Sequence, residues 1–384
     1  MNILYLLHNE SITGANLSFL DMICDLNMKK NNIFVMIPKY NKILVEKLNK
    51  MGIKNIIILK YKCYFLNYNH NDFKAKIKNT IKMTPLISVL SYLYVKRIYR
   101  VIKKLNIDII HTNSFSCWYG AWIAKKLNIP HIWHIREFMG NDYALAHIHK
   151  KRIQKLCKYS NAIYISKIVQ EKYDNIYSFK NTVTIYDRVR YNSYYIHQRD
   201  YMKNCVCNVL YVGSLDVNKG IYEMLDAFKI LQQKEFKTHL FICGEGDLKD
   251  YILNYVNINC LNNVHFLGFR EDIEDIRKNM DIALMCSNNE ALGRTTIEAM
   301  YCENLVIGAD SDNACTKYLI KDSLTGLLYK KGDSIHLANK IIYSIEHKKE
   351  CLNMIQKAKE ESIQKYSNSI SDNIERFYIE LKGE

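Results

Sequence analysis

Short apolar runs, each closed by a glycine or a polar residue and followed by a helical stretch, recur along almost the whole chain. Asn2 to Leu7 (NILYLL) is the first. A run this continuous marks a strand buried on both faces of a parallel sheet. A loop from His8 to Ala15 follows it, and Asn16 to Asn27 carries apolar residues at helical spacing. Ile33 to Ile37, Ile56 to Leu59, Ile107 to His111, Ile129 to His134 and Ala162 to Ser166 read as further strands, the last being the final clear one of this half. Gly120 to Leu127 and Lys150 to Lys158 read as helices. Strand alternating with helix implies right-handed βαβ units and a doubly wound parallel sheet. Ligands of such sheets sit beyond the carboxyl ends of the strands. The residues there are His8, Gly14, His111, Asn113, Ser114, His134, Arg136 and Ser166.

The stretch from Tyr177 to Asn204 is irregular and rich in tyrosine, and reads as a crossover. The alternation then resumes. Val206 to Val212 is a strand that runs into Gly213-Ser214-Leu215-Asp216, then Asn218-Lys219-Gly220, then a helix from Tyr222 to Gln233. His239 to Cys243 is a strand ending in Gly244-Glu245-Gly246, which either turns tightly or brings backbone close to a ligand. Val264 to Leu267 and Asp281 to Cys286 are strands, Ile273 to Lys278 a short helix. Leu305 to Gly308 is a strand, and helices follow at Asp333 to Glu346 and Ser367 to Leu381. At 384 residues the chain is too long for one ordinary core, so two α/β domains are expected.

One stretch carries the densest chemistry. Glu290 to Met300 reads EALGRTTIEAM, with Glu290 and Glu298 bracketing Leu292, Gly293, Arg294 and Thr295. A strand precedes it and a helix begins near Gly293. The helix start aims backbone N–H groups and a positive dipole end at the loop, which suits a diphosphate. Carboxylates so placed accept hydrogen bonds from sugar hydroxyls. The plain alternative is one solvated glutamate and one on a helix surface. Lys219 sits where a point cation meets phosphate, or is a surface lysine in a turn.

Charge is unevenly spread. Residues 1–190 hold 31 Lys and Arg against 11 Asp and Glu, whereas the remainder holds 23 against 28. From Phe73 to Ile107 there are nine basic residues and no acidic one. Ile87, Leu90, Tyr94, Ile98, Val101 and Ile102 recur there at helical spacing. A basic amphipathic helix over residues 74–104 suits an anionic membrane surface, or else packs on the sheet with a solvated basic face. Nucleic acid is not expected, because no binding motif accompanies the charge. The 12 cysteines are scattered, apart from Cys205-x-Cys207, without paired C-x-x-C units. With no secretory leader at Met1 to Leu7, free thiols in a cytoplasmic protein are expected, and no zinc site. No run of apolar residues is long enough to span a bilayer.

VGSLDVNKG, ICGEGD, VHFLGF, ALMCSNNEALGRTTIEAM, LVIGAD and TGLLY, in this order, resemble the donor-binding domain of the family four retaining glycosyltransferases, also called glycosyl transferases group 1. NILYLLHNESITGANLS resembles that family's first strand and glycine loop. IPHIWHIREF resembles the stretch with its active-site histidine, in the form common among capsule and polysaccharide enzymes. The resemblance implies an α/β GT-B fold, two Rossmann-like doubly wound domains facing across a cleft. Residues 1–185 would bind the acceptor, 186–204 cross over, 205–365 bind the donor, and 366–384 form a helix returning to the first domain.

The resemblance also implies site roles. Glu298 would hold the ribose hydroxyls of a nucleotide sugar, and Glu290 the hydroxyls of its sugar. Backbone around Leu292, Gly293, Arg294 and Thr295 would meet sugar and diphosphate. Lys219 would neutralise the leaving group, with Gly213, Ser214, Gly244 and Gly246 lining the donor. His134 would sit at the sugar, and Gly14 would let its loop approach the reacting centre. One departure stands out: the family often has an arginine where this chain has Ser214, and Arg294 is the candidate to replace that charge. The implied activity is metal-independent transfer of a sugar to a glycan or lipid-linked acceptor, with no cofactor, at the inner face of the cell membrane. A nucleotide-sugar epimerase, or an inactive sugar-nucleotide-binding subunit on the same fold, is the alternative. An oxidoreductase is disfavoured, since no G-x-G-x-x-G follows the first strand.

Overall fold

The structure is a computed structural model that describes residues 1–12, 14–26, 31–63, 65–67, 73–138, 145–147, 150–191, 201–202 and 206–383. Most of the expected crossover 186–204, and Cys205, lie outside the described residues. The chain divides into two compact units, Met1–Arg188 with Ser369–Glu384, and Val189–Asn368.

In the first unit the elements run β1 (Asn2–Leu6), α1 (Ala15–Ile23), β2 (Asn32–Ile37), α2 (Lys42–Lys50), β3 (Asn55–Ile58), β4 (Phe65–Asn67), α3 (Phe73–Ile102), β5 (Ile109–Thr112), α4 (Tyr119–Leu127), β6 (His131–Ile135), β7 (Leu145–His147), α5 (Lys150–Cys157), β8 (Asn161–Tyr164), α6 (Lys167–Asp174) and β9 (Thr182–Thr184). Among the described residues, seven strands form one parallel sheet in the order β3-β2-β1-β5-β6-β8-β9. β4 and β7 make a small antiparallel pair. Ile3 to Leu7 are fully buried, as a run apolar at every position requires of a central strand. Local chemistry sets the helix ends. Asn41 caps α2 by accepting from the Leu44 N–H at 3.0 Å, and Asn128 closes α4 in the left-handed conformation.

The second unit repeats the plan with β10 (Cys207–Val212), α7 (Ile221–Gln233), β11 (Thr238–Cys243), α8 (Lys249–Ile258), β12 (Val264–Gly268), α9 (Ile273–Arg277), β13 (Ile282–Met285), α10 (Arg294–Tyr301), β14 (Leu305–Asp310), α11 (Thr316–Leu319), β15 (Leu327–Lys330), α12 (Ser334–Glu346) and α13 (Lys348–Tyr366). Its six described strands are parallel in the order β12-β11-β10-β13-β14-β15. The last helix, α14 (Ser371–Gly383), belongs to the first unit, where Ile374, Phe377, Tyr378 and Leu381 join the core of β1, α1 and β2.

Both sheets reverse direction beside their first strand, between β1 and β5 and between β10 and β13. These switch points are where open α/β sheets hold ligands. Three expectations from the sequence change. The crossover as read from Tyr177 starts too early, because β9 lies inside it and pairs with β8; a three-residue Thr-Val-Thr strand is too short to show a period. The apolar face read on α3 is packed, with Ile87, Ile98 and Ile102 buried. The final helix begins at Ser371, not Ser367. Among the described residues, no helix is long and apolar enough to cross a membrane.

Candidate active site

In the second unit the chain leaves β10 through Gly213 and Ser214. The Ser214 hydroxyl is spent on Asp216 Oδ2 at 2.7 Å. Asp216 in turn accepts from the Asn218 N–H at 2.9 Å and caps a single turn, Val217–Lys219, that presents Lys219. On the other side of the switch point the chain leaves β13 toward Glu290. The Asn288 N–H donates to the Asn218 carbonyl at 2.7 Å and ties this loop to the lysine turn. Glu290 is fixed through its own backbone, donating to the Asn313 carbonyl at 3.2 Å and accepting from the Cys315 N–H at 2.7 Å. The two loops meet in an ion pair, Lys219 Nζ to Glu290 Oε2 at 3.0 Å. Burial pulls the Lys219 ammonium down, but the charge and hydrogen bond of Glu290, with Asp216 behind, outweigh it and set its pKa above the ordinary lysine value.

The loop after β11 packs against the one after β10. A Cβ on Gly244 would lie 1.8 Å from the Gly213 carbonyl oxygen, so only glycine fits there. Gly246 presses on the Leu215 backbone in the same way. These glycines therefore serve loop packing first. Gly293 is the N-cap of α10 at φ 81, a left-handed position that glycine adopts without strain. No described side chain caps this helix start, where the Thr296 N–H turns back to the Gly293 carbonyl at 3.0 Å; a helix start carries the positive end of the dipole. Leu292 is buried, and the Thr295 hydroxyl faces Met285 Sδ at 3.7 Å. Glu298, one turn into α10, is held from two sides: Arg277 Nη1 lies 2.9 Å from its Oε2, and Arg294 Nε lies 3.9 Å from its Oε1.

A second polar cluster fills the first unit beside its own switch point. His134 is fully buried. Its Nδ1 lies 3.1 Å from both Arg136 Nη2 and His111 Nε2. A guanidinium can only donate, so His134 Nδ1 accepts and its proton sits on Nε2, which faces Asp187 Oδ1 at 3.6 Å. His111 Nε2 must then donate, which leaves His111 Nδ1 to accept from the Tyr378 hydroxyl at 2.6 Å. Tyr378 accepts from Tyr5 at 2.8 Å. The hydrogen bonds thus run in one direction from β1 through α14 to His134, and Asp187, within 3.6 Å of the His134 ring, pairs with Arg136. Burial, with the Arg136 charge adding to it, holds the His111 and His134 pKa values well below the usual range. His8, at the end of β1, is pushed down to about 4 by the same two causes. Gly14 is the N-cap of α1.

Residues 207–361 match the family model described as Glycosyl transferases group 1, and residues 40–186 match Glycosyltransferase Family 4. One model falls on each unit, and together they span most of the chain. The chain belongs to the group 1 glycosyltransferases. It is 24% identical over 377 residues, 92% of each chain, to the N,N'-diacetylbacillosaminyl-diphospho-undecaprenol alpha-1,3-N-acetylgalactosaminyltransferase of Campylobacter jejuni. A second Campylobacter jejuni relative, the GalNAc-alpha-(1->4)-GalNAc-alpha-(1->3)-diNAcBac-PP-undecaprenol alpha-1,4-N-acetyl-D-galactosaminyltransferase, is 34% identical over 134 residues, 35% of this chain and 37% of that one. Among solved structures, Anabaena HepE in complex with UDP shares the fold at a TM-score of 0.77 and 19% identity, over 98% of this chain and 99% of that chain.

Within this glycosyltransferase, the residues singled out in the sequence fall into two groups. Gly213, Ser214, Lys219, Glu290, Leu292, Gly293, Arg294, Thr295 and Glu298 flank the β10–β13 switch point, with Gly244 and Gly246 in the neighbouring loop. His134 and Gly14 lie in the first unit. Arg277, Asp187 and Tyr378 were missed in the sequence. Arg277 is one basic residue in a charged five-residue helix, Asp187 falls in the irregular stretch after β9, and Tyr378 lies far from every motif, so none gave a signal.

Proposed function

We propose that this glycosyltransferase moves a sugar, with retention at the anomeric carbon, from a uridine diphosphate sugar to a lipid-linked glycan. An N-acetylhexosamine is the first donor to test, since both Campylobacter relatives carry N-acetylgalactosamine in their names. The observation that carries the reading is the Lys219–Glu290 pair at the β10–β13 switch point, beside the uncapped start of α10. Negative charge grows on the diphosphate as the glycosidic bond breaks. Lys219 and the α10 N–H groups supply positive charge there, so the reaction needs no metal. Glu290 takes the sugar hydroxyls and Glu298 the ribose hydroxyls as charged acceptors. Arg294 stands in for the cation absent at Ser214. Retention follows from attack on the same face of the sugar, assisted by the departing phosphate.

The acceptor is assigned to the first unit. Leu86, Val89 and Leu93 are exposed on one face of α3, and Lys96, Arg97 and Arg100 continue that face. An apolar patch leading into a basic one suits a membrane surface, which would place the enzyme peripherally at the cytoplasmic leaflet.

Incubation with uridine diphosphate N-acetylhexosamines and a polyprenyl-diphosphate glycan, in the presence of EDTA, tests the chemistry. A new α-linked product at an unchanged rate with chelator is expected. Dependence on added divalent metal, or a β-linked product from an α-linked donor, would overturn the mechanism.

A further inference from the structure

Arg277 closes α9, 3% exposed, in a place where a charge is costly to bury without a partner. Its Nη1 lies 2.9 Å from Glu298 Oε2, while its Nε is buried with no hydrogen-bond partner among the described residues. Its backbone is fixed as well, since the Asn304 side chain donates to the Arg277 carbonyl at 3.0 Å. A guanidinium offers five N–H donors in a fixed fork. This one directs Nη1 at a carboxylate and leaves Nε unmet.

We propose that Arg277 is the positioning residue of nucleotide recognition: it fixes the Glu298 carboxylate from the protein side so that its open side meets the two ribose hydroxyls. This rests on the reading that Glu298 holds the ribose. A carboxylate offers about four acceptor sites. Arg277 lies 2.9 Å from one oxygen and Arg294 3.9 Å from the other, which leaves acceptor sites on both for a hydroxyl. Glu298 is 27% exposed, enough for a ligand to reach it. The pairing also offsets one of the two negative charges that an incoming diphosphate meets at Glu290 and Glu298. Lysine keeps the charge but not the rigid plane of the guanidinium, so it reproduces this only in part.

The test compares binding of UDP and 2′,3′-dideoxy-UDP by calorimetry in the full chain, Arg277→Gln and Arg277→Lys, with melting temperature followed in each. The full chain is expected to bind UDP about tenfold or more tighter than the dideoxy analogue, as hydrogen bonds to a charged group require. In Arg277→Gln that preference collapses to about twofold or less, with affinity for the dideoxy analogue retained; Arg277→Lys falls between. If Arg277→Gln does not fold, Arg277→Lys decides by the same ratio. An equal loss for both ligands, or an undiminished preference in a folded variant, overturns the role of Arg277. Absence of any preference in the full chain overturns the ribose reading of Glu298 itself, a separate outcome.

Discussion

Removing Glu298 strands the buried Arg277 guanidinium, besides taking away the proposed ribose contact. Glu298→Ala is therefore expected to lower stability by about 1–3 kcal/mol, more than an ordinary half-exposed helix glutamate. Adding Arg277→Met should restore most of that loss, which urea denaturation of the single and double variants measures. Lys219 makes the opposite case. Its partner Glu290 is 28% exposed and can be hydrated, so Lys219→Ala should fold normally while donor turnover falls about 100-fold or more. Steady-state kinetics with the identified donor checks it. At this scale the sequence was legible where chemistry and spacing coincide. Lys219 and Glu290, singled out in the sequence by the family resemblance, are brought together as an ion pair, and Glu298 lies one turn into α10 beside them. The partners that hold them were hidden, because Arg277 and Asp216 act through contacts that no spacing rule displays.

Strands with unbroken apolar runs, such as β1 and β13, could be read directly, since burial on both faces demands that pattern. Helices with diluted stripes could not. α13 buries Cys351, Met354, Ile355, Ala358, Ser362 and Tyr366, and half of these are small or polar, so this helix left little trace in the sequence. For α3 the helix was legible but its free face was not: Ile87, Ile98 and Ile102 are packed, and the exposed face carries Leu86, Val89 and Leu93. That face makes its own prediction. Lys96→Glu with Arg100→Glu should abolish sedimentation with anionic liposomes at low salt while leaving turnover in a soluble donor assay intact. Val89→Ser with Leu93→Ser removes the apolar contribution instead, and should weaken the binding that remains at high salt.

The two units carry different liabilities. The first holds His111, His131 and His134 as fully buried neutral rings and His8 as a half-buried one, His131 pushed down to about 3 by burial alone. Below about pH 6.5 an unfolded histidine takes up a proton that these folded rings refuse. The unfolded state then binds more protons, so stability falls as the pH falls. The first unit should therefore unfold in acid before the second, as two phases in circular dichroism between about pH 6 and pH 4. Nucleotide should do the reverse, raising the melting temperature of the second unit alone. Two sheets of similar plan were legible from the repeated strand–glycine–helix pattern. The exchange of α14 into the first unit rests instead on side chains, Tyr378 foremost, that meet partners several hundred residues away.

At the centre of the proposed chemistry, Lys219, paired with Glu290, neutralises a nucleoside diphosphate leaving group without metal. The most direct measurement is the rate of UDP release from uridine diphosphate N-acetylhexosamines, in EDTA, by the full chain and by Lys219→Ala. Release by the full chain is predicted, with a loss of about 100-fold or more in the variant while its fold stays intact. Equal rates in the two proteins, or release that appears only when a divalent metal is added, would contradict it.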